Sequence, residues 1–156
     1  FRVSANPGEP LRPLVAVSSG GETARIMLGL KSVLQEADRV PVLVFDEIDA
    51  GIGGRVGAGV GRRLWSLAAA RQVLCVTHLP QVAVYGDAHW HVRKEVSDGR
   101  TVTVLARLDA ADRVNEIAQM LGTVSPSGRS SALQLLQETE VWKSRRRAAP
   151  QAESLG

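Results

Sequence analysis

Two short runs with no polar alternation, Val42-Leu43-Val44-Phe45 and Val73-Leu74-Cys75-Val76-Thr77, constrain the chain more than any other feature. An unbroken apolar run of strand length suits a parallel strand buried on both faces, and a charge is tolerated only at its mouth. The first run ends at Asp46-Glu47 and the second at His78. Between them lie a glycine-rich loop, Asp49-Ala50-Gly51-Ile52-Gly53-Gly54, and a stretch over about residues 55–70 with Val56, Val60, Leu64 and Leu67 at helical spacing. Strand, helix, strand is the order of a right-handed βαβ crossover. Gly57, Gly59 and Gly61 each cost that helix roughly 0.8–1 kcal/mol relative to Ala, which predicts close packing against a neighbour.

Parallel neighbours bring the residues after both strands to one edge of the sheet, where open α/β sheets bind their ligands. Asp46 there can hold a hard cation through oxygen, and Glu47, pointing elsewhere, can polarise a water. Taken alone, an Asp-Glu pair is more often the start of a turn, and a lone His more often a surface or core residue. Upstream, Ser19-Gly20-Gly21-Glu22 precedes Ile26, Met27, Leu30, Val33, Leu34 and Ala37, a spacing that predicts a helix with these residues on its buried face. Ser19 with Glu22 reads as a capping box. The two glycines bare backbone N–H groups at the helix start, where an anion such as phosphate is favoured.

Together these segments carry a resemblance. Ser19-Gly20-Gly21-Glu22 resembles the signature motif of ABC-type ATPases, although Ser18, Thr23 and Ala24 depart from its commonest wording. Val42 to Glu47 resembles the Walker B strand with its glutamate, Asp49-Ala50-Gly51 the D-loop, and His78 the switch histidine. Ser4-Ala5-Asn6-Pro7-Gly8-Glu9-Pro10, Phe45 to Gly54 and Thr77-His78-Leu79-Pro80-Gln81-Val82 are similar to the RecN family of SMC-like ATPases of bacterial DNA repair. The likeness covers about residues 1–122 and fades after Gly122.

The resemblance implies an α/β P-loop NTPase fold, the C-terminal lobe of an ABC-type ATPase head with a mostly parallel sheet flanked by helices. It implies ATP and Mg²⁺ as cofactors, with Asp46 toward the metal, Glu47 and His78 as catalytic residues, and Ser19, Gly20, Gly21, Glu22 and Asp49 at the nucleotide and head-head interface. The implied partners are the N-terminal half of the same head, a second head in a homodimer, and DNA, in a cytoplasmic, nucleoid-associated setting. No G-x-x-x-x-G-K-[ST] occurs in the chain. That loop belongs to the N-terminal half in the family, so a chain opening at Phe1 is expected to be one half of a split head, inactive alone. The alternatives are another SMC-like or transporter ATPase head, and a DNA-binding or scaffold module without chemistry; an intact Glu47 argues against the latter.

The rest of the chain fits one domain core. No apolar run reaches the roughly 18 residues of a membrane span. The single cysteine, Cys75, allows no internal disulfide and reads as a core residue suited to a reducing compartment. A formal net charge of +3 comes mostly from scattered arginines, with one compact cluster at Lys143, Arg145, Arg146 and Arg147. Residues 143–156 are therefore expected to be a disordered basic tail after a lobe spanning 1–142. Residues 1–17, with three prolines, read as an extended lead-in. Residues 88–108 read as a β-hairpin around Asp98-Gly99, with His89 and His91 on a polar face rather than on a metal, and 112–121 as a helix stopped by Gly122.

Overall fold

A computed structural model of the chain describes residues 2–4, 8, 10–13, 19–34, 37, 39–97 and 99–148. The expected lead-in and the Ser4 to Pro10 stretch fall partly outside the described residues, as do Ser18 and Asp98. The chain forms two compact units, residues 1–82 and 83–156.

The first unit opens with a short antiparallel pair, β1 (Arg2–Val3) and β2 (Arg12–Pro13). Helix α1 (Gly20–Val33) follows, then β3 (Val42–Phe45), α2 (Gly54–Leu67), β4 (Gln72–Cys75) and the single turn α3 (Pro80–Ala83). Strands β3 and β4 pair in parallel, Val42 opposite Gln72 through Phe45 opposite Cys75, completing the anticipated βαβ order. Leu28, Leu43, Phe45, Ile48, Val60, Leu64, Leu67 and Val82 form the core, with Ala24, Ile52, Val73, Cys75 and Leu79 packed against it.

Two expectations about burial need correction. Strand β3 is buried on one face only: Leu43 and Phe45 point inward, while Val42 and Val44 are exposed, as are Leu74 and Val76 beyond them. Among the described residues β4 is the only neighbour of β3, so the sheet stops at two strands. Helix α1 also turns a different face inward. Gly21, Ala24 and Leu28 meet the core, whereas Ile26, Met27, Val33 and Leu34 are exposed, Val33 to 83%. The helix is apolar on more than one side, and periodicity alone could not choose between two candidate stripes.

Helix α2 buries Val60, Leu64 and Leu67, but Val56 stays exposed. The close approach foreseen from its glycines occurs at Gly57, where an added Cβ would lie 3.2 Å from Leu79 Cδ1.

The second unit holds a hairpin of β5 (Trp90–Ser97) and β6 (Arg100–Arg107), registered Trp90 to Arg107 through Ser97 to Arg100. Gly99, at φ +72°, supplies the left-handed turn residue. Helix α4 (Ala110–Met120) is capped by Asp109, buries Ile117 and Ala118 completely, and is followed by Gly122 at φ +89°.

Helix α5 (Pro126–Ala148) runs through the basic cluster, so the boundary expected after residue 142 falls inside a helix. The reason is Lys143, which is 1% exposed and not part of a solvated tail. Its stem is buried and its ammonium meets Asp87 Oδ1 at 3.0 Å and Glu140 Oε1 at 3.2 Å. Arg113 on α4 donates to the carbonyls of Ala83, Val84 and Gly86, fastening the segment that Lys143 also holds. Tyr85 and Trp142 stack edge to face at 5.5 Å. Residues 149–156 lie outside the described residues.

Candidate functional site at the mouth of the parallel strands

Strands β3 and β4 end side by side, and the segments after them, 46–50 and 77–79, meet at one edge of the first unit, with the start of α1 against the first of the two. Helix α1 begins at the capping box read from the sequence. Ser19 Oγ accepts the N–H of Glu22 at 3.3 Å, and the Glu22 carboxylate accepts the N–H of Ser19 at 2.9 Å. These bonds hold the Glu22 carboxyl below its ordinary pKa, the backbone bond from Ser19 contributing most. Glu22 is thus spent on the cap. The amides of Gly20 and Gly21, in the first helical turn, have no intrahelical carbonyl to bond.

The glycines have a second reason to lack side chains. A Cβ on Gly20 would lie 2.7 Å from Glu47 Oε2, and one on Gly21 would lie 2.8 Å from the Glu47 carbonyl oxygen and 2.9 Å from Ala50 Cβ. The first turn of α1 therefore rests on the loop that follows β3. Glu47 occupies that loop with φ +55°, a left-handed conformation uncommon for a residue with a side chain. Asp46 and Glu47 are both exposed, and Asp46 Oδ1 accepts the N–H of Glu47 at 2.8 Å.

Asp49, expected at an interface, has a side chain only 2% exposed. Its Oδ2 accepts from Thr77 Oγ1, from the N–H of His78 at 2.8 Å and from the N–H of Leu79 at 3.2 Å. The same oxygen lies 3.2 Å from Nδ1 of His78. Burial alone would push the Asp49 carboxyl up, but the bonds from Thr77 and His78 outweigh it and hold the pKa below its usual value. The imidazole is itself 77% exposed.

Cys75, at the end of β4, has its thiol pushed up to about 12, first by burial and then by Asp49 and Asp46. It is not a nucleophile, in agreement with its reading as a core residue. Among the described residues no three potential ligands converge on a metal position. Asp46 alone still fits Mg²⁺, which keeps most of its waters and takes one or two carboxylates plus phosphate oxygens.

Sequence reading missed Arg25 and Thr77. Arg25 Nη1 donates to the carbonyls of Ile48 at 3.1 Å and Ala50 at 2.8 Å, on either side of Asp49. The signal was present: Arg25 lies four residues after Gly21 and three before Leu28, on the helix face that is buried, where a charge needs partners.

No protein-family model matches the chain. In sequence it is similar to the DNA repair protein RecN of Xylella fastidiosa (strain 9a5c), 46% identical over 142 residues that make up 90% of this chain and 26% of that protein. It is likewise similar to the DNA repair protein RecN of Deinococcus radiodurans, 50% identical over 137 residues, 87% of this chain and 24% of that protein. The chain spans about a quarter of the length of these relatives. Among solved structures it is similar to a chain from the structural biochemistry of ATP-driven dimerization and DNA stimulated activation of SMC ATPases. There the TM-score is 0.51 and the identity 22%, covering 74% of this chain and 68% of that one. The fold is accordingly that of an SMC-type ATPase head lobe. By sequence, the chain is similar to the C-terminal region of the DNA repair protein RecN.

Proposed function

We propose that the chain is the C-terminal lobe of an SMC-like ATPase head that serves DNA double-strand break repair and recombination, hydrolysing ATP between two heads. The observation that carries this reading is the meeting of Ser19–Gly21, Asp46–Glu47 and His78 at one edge of a parallel strand pair. Asp46 would hold Mg²⁺, whose charge would offset that developing on the phosphates. Glu47 would orient or activate the attacking water. His78, its Nδ1 3.2 Å from Asp49 Oδ2, would face the terminal phosphate and respond to its loss. Ser19 and the amides of Gly20 and Gly21 would bind the terminal phosphate of a nucleotide carried by the second head.

The bare faces of the first unit support an N-terminal partner half. A parallel pair with Val42, Val44, Leu74 and Val76 exposed on one side, next to a helix exposing Ile26, Met27 and Val33, has the surface of a sheet meant to be covered. The phosphate-binding loop would come with that half, so the chain alone would bind ATP weakly and turn over none. A DNA-repair role follows from the RecN likeness, with DNA and a second head as partners and the bacterial cytoplasm as the setting. The test is co-expression with the N-terminal region of its own protein, followed by phosphate release from Mg-ATP. The expected result is turnover only by the pair, lost in Glu47→Gln; tight ATP binding by the lone chain would refute the split-head reading.

A further inference from the structure

We propose that Arg25 is a positioning residue that links the start of α1 to His78. Its guanidinium bridges the carbonyls of Ile48 and Ala50, which fixes the backbone on both sides of Asp49. Asp49 in turn gathers Thr77, the amides of His78 and Leu79, and the His78 ring. Every bond in this series reaches from one segment to the next: α1 to the loop after β3, and that loop to the loop after β4. Thr77 closes it, because its hydroxyl donates to Asp49 and also accepts the N–H of Leu79 at 3.1 Å.

The helix makes the link mechanical. Arg25 lies six residues after Ser19, about 9 Å along the axis at 1.5 Å per residue, so a hydrogen-bonded helix carries the two together. The contacts of Gly20 and Gly21 with Glu47 and Ala50 prevent the first turn from sliding over the loop without moving it. A ligand that shifts Ser19–Gly21 would therefore shift the carbonyls that Arg25 grips, and with them Asp49 and the imidazole. Arg25 itself touches no reacting atom. Both bonds come from Nη1, whose two N–H groups are held in the guanidinium plane, a fixed geometry that the ammonium of a lysine lacks.

This inference rests on the proposed ATPase reading for its purpose but not for its structural test. Arg25→Gln and Arg25→Lys are compared with the unsubstituted chain by amide and imidazole chemical shifts, with circular dichroism as the check on folding. In Arg25→Gln the amides of His78 and Leu79 are expected to move upfield as their bonds to Asp49 loosen, together with the His78 ring nitrogens. Arg25→Lys should restore part of the change. Shifts confined to residues 48–50, with 77–79 unmoved, would overturn the link. If Arg25→Gln does not fold, Thr77→Val interrogates the series from its other end: the Arg25 guanidinium and the Ile48 and Ala50 carbonyl resonances should move, and their constancy would overturn it.

In the head completed with its N-terminal half, Arg25→Gln should lower kcat about 10- to 100-fold, the scale of a misplacement of roughly 1 Å, with KM for ATP unchanged. A raised KM at unchanged kcat would contradict the positioning role. Absence of turnover in the unsubstituted pair would refute the ATPase reading and leave the link to be decided by the shifts alone.

Discussion

Replacing Gly21 with Ala offers a quantitative test of how α1 seats on the loop after β3. The added Cβ would lie 2.8 Å from the Glu47 carbonyl oxygen, 2.9 Å from Ala50 Cβ and 3.0 Å from the Ala50 carbonyl oxygen. Two of these neighbours are backbone, and the third is a methyl fixed to it, so none can rotate away. Restoring an ordinary contact of about 3.5 Å needs a displacement of roughly 0.5–0.7 Å in a packed segment. Overpacking of this kind costs about 1–3 kcal/mol. Gly29, on the same helix, has nothing within 4 Å of its would-be Cβ. There Ala removes the penalty of a mid-helix glycine and should stabilise by about 0.8–1 kcal/mol.

The two variants are thus expected to bracket the parent, separated by about 2–4 kcal/mol. With a urea m-value of about 2 kcal/mol/M their unfolding midpoints should differ by roughly 1–2 M. The assay is urea unfolding followed by circular dichroism on the chain itself. A Gly21→Ala midpoint equal to or above that of Gly29→Ala would refute the packing described between α1 and residues 47–50.

Other perturbations separate the remaining parts of the account. Gly20→Ala meets only the end of a flexible carboxylate, Glu47 Oε2 at 2.7 Å; equilibrium unfolding should show a change within about 0.5 kcal/mol, while turnover in the completed head falls because Glu47 has been displaced. Asp49, whose pKa is depressed, contributes stability that is complete above its unfolded value of about 3.9 and is lost as the pH falls through the lower folded value. Asp49→Asn should accordingly be less stable at pH 7 and show a flatter acid limb below about pH 4 in pH-dependent unfolding. Cys75, with its thiol pushed up to about 12, should resist iodoacetamide at pH 8 in the folded chain and react once urea unfolds it; mass spectrometry reads the difference, and fast labelling of the folded chain would contradict the burial described.

Much of this architecture was legible in the residues, and the parts that were not share a cause. The βαβ order followed from two apolar runs that end in polar residues, the capping box from Ser19 and Glu22, and the hairpin from alternation around Asp98-Gly99. Each is read from residues close together along the chain. What failed were statements about faces. The stripe Ile26, Met27, Leu30 and Val33 and the stripe Gly21, Ala24 and Leu28 are both apolar, and only the tertiary partner decides which is buried. Strand β3 carries the composition of a strand covered on both sides, yet among the described residues one side stays bare. A polar residue can likewise be structural: Lys143 looked like part of a solvated run, and only the carboxylates of Asp87 and Glu140 explain why its helix continues. At the candidate site the sequence identified the residue types, whereas the inward turn of Asp49 and the grip of Arg25 on Ile48 and Ala50 depend on contacts between segments more than 20 positions apart.

The most direct test of the central claim is the rate of phosphate release from Mg-ATP by this chain assembled with the N-terminal half of its own protein, measured for the parent and for Glu47→Gln under identical conditions. Turnover by the parent and its loss in Glu47→Gln, with ATP still bound, is the predicted result. Equal turnover by the two would show that the carboxylate at the mouth of β3 does not serve the reaction.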